Sequence, residues 1–326
     1  MMKKTLVALA AVAVTGGAFA QATLTGAIGY GYATNTDVDG ATTSGMGVAD
    51  AQVNFGISED LGGGMSLSGT MGFFGYGNAA AGSVGSNDMK LGLKTASGLS
   101  LNFGSTKASH YLGSGIAGAG AAFEIGLDGN VLSSRSRADT LSVSMPVMDG
   151  VTASVSHSEP AVSTYGAGAA GLTTQRYNTV VLGYKAGALA ADVQYRSYDL
   201  QTPNTTTSAS QKSRASVSYD LGVMKIGAGV DSTNYTAGNV YSESLVGITV
   251  PMGQLTLGAQ FGQMSTTGYT TNYSETGSLV GAKYDLSKRT YVTAQYYSFT
   301  GGFASGASTA GTQSGSGATF TIYNSF

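Results

Sequence analysis

Few residues in this chain have the types and spacing for bond-making chemistry. It holds two histidines, His110 and His157, and no cysteine, so no zinc constellation or Ser-His-acid set can be assembled from spacing. Gly113-Ser114-Gly115-Ile116-Ala117-Gly118 spells a dinucleotide fingerprint, and Asp139 follows at about the right distance. That fingerprint works through a strand–turn–helix beside a parallel sheet, and its surroundings offer neither. Asn35-x-Asp37-x-Asp39-Gly40 imitates the start of a calcium loop, but the twelfth position is Met46 instead of Glu. It reads as a solvated loop, with weak cation binding at the surface as the alternative. No cofactor, metal or catalytic residue is expected, and the chain does not read as an enzyme.

The charged residues carry a different chemistry, which is electrostatic. Apolar residues alternate with polar or tiny ones over much of the chain. Leu255, Leu257, Ala259 and Phe261 interleave with Thr256, Gly258, Gln260 and Gly262; Leu141, Val143 and Met145 interleave with Ser142 and Ser144. Such a period of two defines strands with one apolar and one polar face. Parity puts Lys90, Lys94, Arg196, Arg214, Lys225, Lys283 and Arg289 on the polar face, with Asp192, Asp220 and Asp231.

The elements that position these charges are hairpins. Short turns fall at Leu61–Gly64, Ala96–Gly98, Val147–Gly150, Ala186–Gly187, Leu221–Gly222, Met252–Gly253 and Ser287–Lys288. Between them lie polar stretches near 34–48, 77–86, 107–137, 159–174, 200–211, 236–240, 265–274 and 301–315. Seven turns and eight loops imply sixteen strands. No window holds a sustained helical stripe.

Lys3 and Lys4, the apolar run Leu6–Val14 and Ala18-Phe19-Ala20 form a cleavable export signal, so 1–20 is a signal peptide and 21–326 the mature domain. Removing two lysines from 16 basic residues leaves 14 against 18 acidic, a formal net charge of −4. That balance offers nothing to nucleic acid. Only 10% of residues are charged, too few for an ordinary soluble enzyme, while 42% hydrophobic content is too apolar for a disordered chain.

Two architectures absorb so many amphipathic strands. A soluble sandwich turns its apolar faces inward; a membrane barrel turns them to lipid and lines a lumen with the polar ones. Strand lengths of roughly 9–11 residues and alternating short and long connections select the barrel. The expected fold is an all-β, 16-stranded antiparallel transmembrane β-barrel. In lipid its last strand must pair with its first, because an open edge leaves backbone groups unsatisfied. A charge on the lipid face at mid-depth would cost about 2–4 kcal/mol, so the charged faces belong in the lumen. With no Trp, the interfacial girdles fall to residues such as Tyr30, Tyr32, Tyr76, Tyr195, Tyr219, Tyr284 and Tyr296.

Particular segments then resemble a known family. Glu59-Asp60-Leu61-Gly62-Gly63-Gly64-Met65 is similar to the first tight turn of the general porins of Gram-negative outer membranes, betaproteobacterial type. Leu286-Ser287-Lys288-Arg289-Thr290 is similar to their last turn. Arg137-x-Asp139-Thr140-Leu141, then Pro146 and Gly150-Val151, resembles the segment that leaves their constriction loop, and Phe326 their terminal assembly signal. The family's Gly-Arg at the end of the fifth strand reads Gly104-Ser105 here, with Lys107 the nearest base, and Asn324 stands where an aromatic or His is usual. The resemblance implies a homotrimer in contact with outer-membrane lipid and lipopolysaccharide, with the third loop, 107–137, folded into each barrel as a constriction.

The function expected is passive diffusion of small hydrophilic solutes and ions. The constriction candidates are Lys90, Lys94, Lys107, Glu124, Asp128, Arg135, Arg137, Asp192, Arg196 and Arg214. Among them, Arg135, Arg137, Lys90, Lys94, Arg196 and Arg214 stand against Glu124, Asp128 and Asp192, which predicts a weak anion preference. In the alternative, Arg135 and Arg137 pin the third loop by pairing with Glu124, Asp128 or Asp139 and cancel much of that bias. A substrate-specific channel with a saturable site is the second reading, and a surface adhesin or structural barrel the third.

Overall fold

The structure is a computed structural model. It describes residues 21–37, 39–75, 84–108, 112, 127, 131–133, 136–160, 176–199, 208–270, 272–300 and 314–326. The expected signal peptide and most of the expected long loops lie outside the described residues.

Sixteen strands follow one another: β1 (Gln21–Thr36), β2 (Thr42–Gly62), β3 (Met65–Gly75), β4 (Val84–Lys94), β5 (Ser100–Ala108), β6 (Ser136–Met148), β7 (Val151–Pro160) and β8 (Tyr177–Ala186). The second half comprises β9 (Leu189–Tyr198), β10 (Ala209–Asp220), β11 (Lys225–Tyr235), β12 (Val240–Met252), β13 (Leu255–Thr267), β14 (Ser274–Asp285), β15 (Thr290–Thr300) and β16 (Ser314–Ser325). Each strand pairs antiparallel with its sequence neighbours, and β1 pairs with β16 from Ala27↔Ser325 to Thr36↔Ser316. The sheet is therefore a closed barrel. Its seam ends in a reciprocal pair of 3.0 Å backbone hydrogen bonds between Gly26 and Phe326. The Phe326 ring lies over Gly26, where a Cβ would come within 2.4 Å of its Cζ.

The packing is inverted relative to a soluble protein. Leu24, Ile28, Phe55, Phe103, Leu182, Val193, Phe261 and Phe320 all stand exposed on the outer face. Lys212, Arg214, Asp231, Glu243 and Glu275 are buried on the inner face. Tyr30, Tyr32, Tyr195, Tyr219, Tyr284 and Tyr296 also point outward. An apolar outside is stable only where lipid or protein replaces water.

One loop expectation is corrected. The stretch 34–48 is mostly strand, because β1 and β2 continue past it to a tight turn at 37–41. Asp37 makes that turn: its Oδ1 accepts the Asp39 and Ala41 N–H groups at 3.0 and 2.9 Å, and Gly40 supplies a φ of +79°. The Asp-rich stretch that imitates a calcium loop is thus engaged in an Asx turn at a hairpin tip. The short turns fall where expected. In the first of them Gly62, Gly63 and Gly64 all take positive φ, a run that residues with a Cβ rarely adopt.

Candidate functional site: the barrel lumen

Alternation along β9 to β12 brings six charged side chains to one stretch of inner wall: Asp192 and Arg196 on β9, Lys212 and Arg214 on β10, Asp231 on β11 and Glu243 on β12. Register sets Arg214 opposite Asp231, and Asp231 opposite Glu243. Asp231 Oδ2 accepts from both Lys212 Nζ at 2.8 Å and Arg214 Nη2 at 3.1 Å. These side chains are 0–8% exposed, and at that burial an unpaired charge would be severely destabilising. Arg196 is held differently. Its Nε donates to Thr179 Oγ1 at 3.2 Å, and its guanidinium lies 4.1 Å from the Tyr177 ring centroid.

Beside this wall dock described residues of the segment between β5 and β6. Leu112, Leu127, Val131 and Leu132 pack inside the barrel against Tyr241, Leu245, Met264, Leu279, Tyr297 and Phe299 of β12–β15. All ten are under a tenth exposed, so the cluster is a dry core within the lumen. Full burial of each such aliphatic side chain stabilises the docking by about 1.5–3 kcal/mol. Gly277 makes the fit possible: a Cβ there would lie 2.7 Å from Leu127 Cδ2 and 2.8 Å from Val131 Cγ2. A polar clamp completes it, with the Ser133 backbone N–H and hydroxyl both donating to Glu243 Oε1. The described residues of the third loop, Leu112, Leu127 and 131–133, thus lie inside the barrel against the far wall.

The near wall is open. Lys90 and Lys94 occupy the inner face of β4 and are exposed; the Lys90 side chain is 59% exposed, with Asp88 3.5 Å away. Such a solvated pair contributes about 0–1 kcal/mol and does not pin its lysine.

The sequence candidates thus separate. Asp192, Arg196 and Arg214 come together on the far wall, while Lys90 and Lys94 stand apart on β4. Glu124, Asp128 and Arg135 lie outside the described residues, and Lys107 is placed only by its strand position opposite Arg137. Arg137 is two rungs from Leu141, which is 41% exposed on the outer face, so its side chain leaves β6 outward. It reaches across β5 to the Ser105 carbonyl at 3.1 Å, the Asn87 carbonyl at 3.2 Å and Asp88 Oδ1 at 3.5 Å. The β4–β5 ladder ends at Met89↔Ser105, so Arg137 caps carbonyls near the end of the pairing. It acts as a seam staple there, sharing the Asp88 carboxylate with Lys90.

Sequence reasoning missed Lys212, Glu243 and the apolar inner patch. The signal for the patch was present: Leu245-Val246, Leu279-Val280 and Tyr296-Tyr297 break the alternation by putting large apolar groups on both faces. His157 faces outward, hydrogen-bonded to Asn178 at 2.8 Å. Among the described residues no group of His, Asp and Glu could hold a metal ion.

A closed sixteen-stranded barrel with an apolar exterior, a charged interior and an inward-docked segment is the architecture of an outer-membrane channel. The chain matches the Gram-negative porin family over residues 5–318, and it belongs to that family. No curated protein sequence matches it. Solved structures do. An anion-selective porin from Comamonas acidovorans aligns at a TM-score of 0.71 and 18% identity, covering 94% of this chain and 100% of that one. OmpT of Vibrio cholerae aligns at 0.68 and 14%, covering 94% and 98%. A mutant of Rh. blastica porin aligns at 0.63 and 11%, covering 94% and 100%. The protein is thus a channel of the outer membrane through which small hydrophilic solutes diffuse passively.

Proposed function

We propose that this porin is a homotrimer with a weak preference for anions, set by lumen lysines that remain open to water. One contrast carries the reading: Asp231, Glu243 and Glu275 are at most 3% exposed beneath or beside the docked segment, whereas Lys90 and Lys94 are exposed. Acids shielded by pairing and burial act weakly on a passing ion, and exposed bases in a low-dielectric channel act strongly. The anion-selective porin from Comamonas acidovorans, with the same fold, lends support. Reversal potentials in a KCl gradient test the reading. A value displaced toward the chloride equilibrium potential is expected, and displacement toward that of potassium would reject it.

The trimer rests on unequal apolar walls. Outer-face pairs on β1–β2 are apolar or glycine from Ala22↔Ile57 through Tyr32↔Met46, six rungs; on β7–β8 they run only from Val151↔Tyr184 to Val155↔Val180, three rungs, before His157↔Asn178. The β1–β2 run spans the roughly 9–11 residues that cross the hydrocarbon and the β7–β8 run about half of that, so the wall does not meet one uniform lipid annulus, and contact with further copies accounts for the inequality. A trimer form of Vibrio cholerae OmpT is a structural relative. Elsewhere the outer face meets lipid, with lipopolysaccharide in the outer leaflet. Residues 1–20 act as the export signal, a reading that rests on Lys3 and Lys4, the apolar run Leu6–Val14 and Ala18-Phe19-Ala20. Unheated gel migration as a trimer, and a mature N-terminus at Gln21 by mass spectrometry, are the expected observations.

A further inference from the structure

The lumen also contains a recess that the diffusion reading does not require. It is a cavity of ≈ 620 Å³ on the inner side of β15, β16, β1 and β2, within the roughly 300–1,000 Å³ of small-molecule sites. Thr293, Gln295, Thr319 and Thr321 line one side with hydroxyl and amide groups, and Asp50 adds a carboxylate. Tyr291 and Tyr323 also line it, stacked at 4.9 Å between centroids with 20° between planes. The pair is preorganised. Lys283 Nζ sits 4.5 Å from the Tyr291 centroid while bridging Asp285 at 2.9 Å, and the Tyr323 ring lies against Gly29. Gly45 and Gly47 form part of the opposite side, and a Cβ at either would meet nothing within 4 Å.

We infer that this recess is a subsite for a neutral polyhydroxylated solute of monosaccharide size, resting on the reading of the protein as a diffusion channel. The chemistry fits that class and excludes others. Several neutral groups that both donate and accept match a ring of hydroxyls, and a carboxylate can accept from two neighbouring hydroxyls. Rigid aromatic edges give the C–H surface of a sugar an apolar contact. Among the described residues no lysine or arginine lines the cavity and Asp50 adds negative charge, so it disfavours an anion, while the anions pass the β4 lysines elsewhere. A solute held here lies beside the ion path, so occupancy reduces ionic current without a lid or gate.

The test is single-channel recording of the full-length trimer with D-glucose as probe, and polyethylene glycol of similar hydrodynamic size as the comparison. The polymer accepts hydrogen bonds but offers few donors. Glucose is expected to reduce the potassium chloride current in a saturable way, and the polymer to reduce it without saturation. Thr321→Val and Gln295→Met each remove hydrogen bonding at similar volume and should weaken half-saturation about fivefold. Gly47→Phe, whose Cβ meets nothing within 4 Å, projects into the recess and should abolish saturation, with block read against each variant's own open-channel current. Non-saturating reduction by glucose would overturn the subsite, as would saturation unchanged in all three variants. Absence of any ionic current in the wild-type trimer would instead overturn the channel reading, so the two failures are distinguishable.

Discussion

The walls β1–β5 and β9–β15 are built from the same hairpin repeat but perform opposite tasks. On β1–β5 the inner face is small, polar and open, with exposed Lys90 and Lys94, and the outer face is apolar over many rungs. On β9–β15 the inner face is occupied by the ion pairs of Asp231 and by the apolar dock for Leu127, Val131 and Leu132. The outer face of β13–β15 turns polar early, with Gln263 donating to Ser274 and Ser278 bonded to Ser298. Charge in a pore therefore has two uses that composition cannot distinguish. Paired and buried charge is part of the architecture, whereas solvated charge meets the permeating ion.

The contrast can be broken most severely at the dock. Leu127→Asp with Leu132→Asp would bury two unpaired carboxylates in the lumen core, costing several kcal/mol, and the segment should leave the wall. A large rise in single-channel conductance with unchanged heat-modifiable migration is expected; unchanged conductance would mean that this dock does not narrow the pore.

Asp231→Asn comes next. It leaves Lys212 and Arg214 without the carboxylate they share at 2.8 and 3.1 Å, and breaking such a buried pair costs about 3–5 kcal/mol. Chemical denaturation of refolded protein should show that loss, accompanied by stronger anion preference.

Glu243→Gln is milder. It keeps an acceptor for Ser133 but removes the charge, and charge-assisted hydrogen bonds are worth about twice neutral ones. More frequent current fluctuations, with mean conductance nearly unchanged, are expected. A rise in conductance as large as that of the double aspartate variant would place the anchor in the clamp instead of the leucines.

The smallest effect belongs to Asp88→Asn. Asp88 lies 3.5 Å from both Lys90 and Arg137 and is 35% exposed, so stability should change by less than about 1 kcal/mol. A larger loss in thermal unfolding would show that the β4–β5 seam depends on this carboxylate.

How much of this was legible in the sequence follows from the range of each interaction. Period-two strands, glycine turns and their alternation with longer stretches are local, and they placed sixteen strands correctly. The length of the β1–β2 hairpin was underestimated because Thr42-Thr43-Ser44-Gly45 reads as loop composition, while Asp37 had already set a turn before it. The contacts of Arg137 with the Asn87 and Ser105 carbonyls join residues 50 and 32 positions apart, and no local pattern announces them. Glu243 and Ser133 are 110 residues apart, and no local pattern announces their contact. The docked segment carries few strong signals of its own; its partners, Leu245, Met264 and Leu279, were marked only by breaking the alternation around them.

On the proposed reading, ion preference comes from the open β4 wall and not from the paired bases of β10. Lys90→Glu combined with Lys94→Glu tests it directly, because both side chains are exposed and neither holds the dock. Reversal potential in a KCl gradient should move from the chloride side for the wild type to the potassium side for the double variant. An unchanged reversal potential would return selectivity to the buried wall.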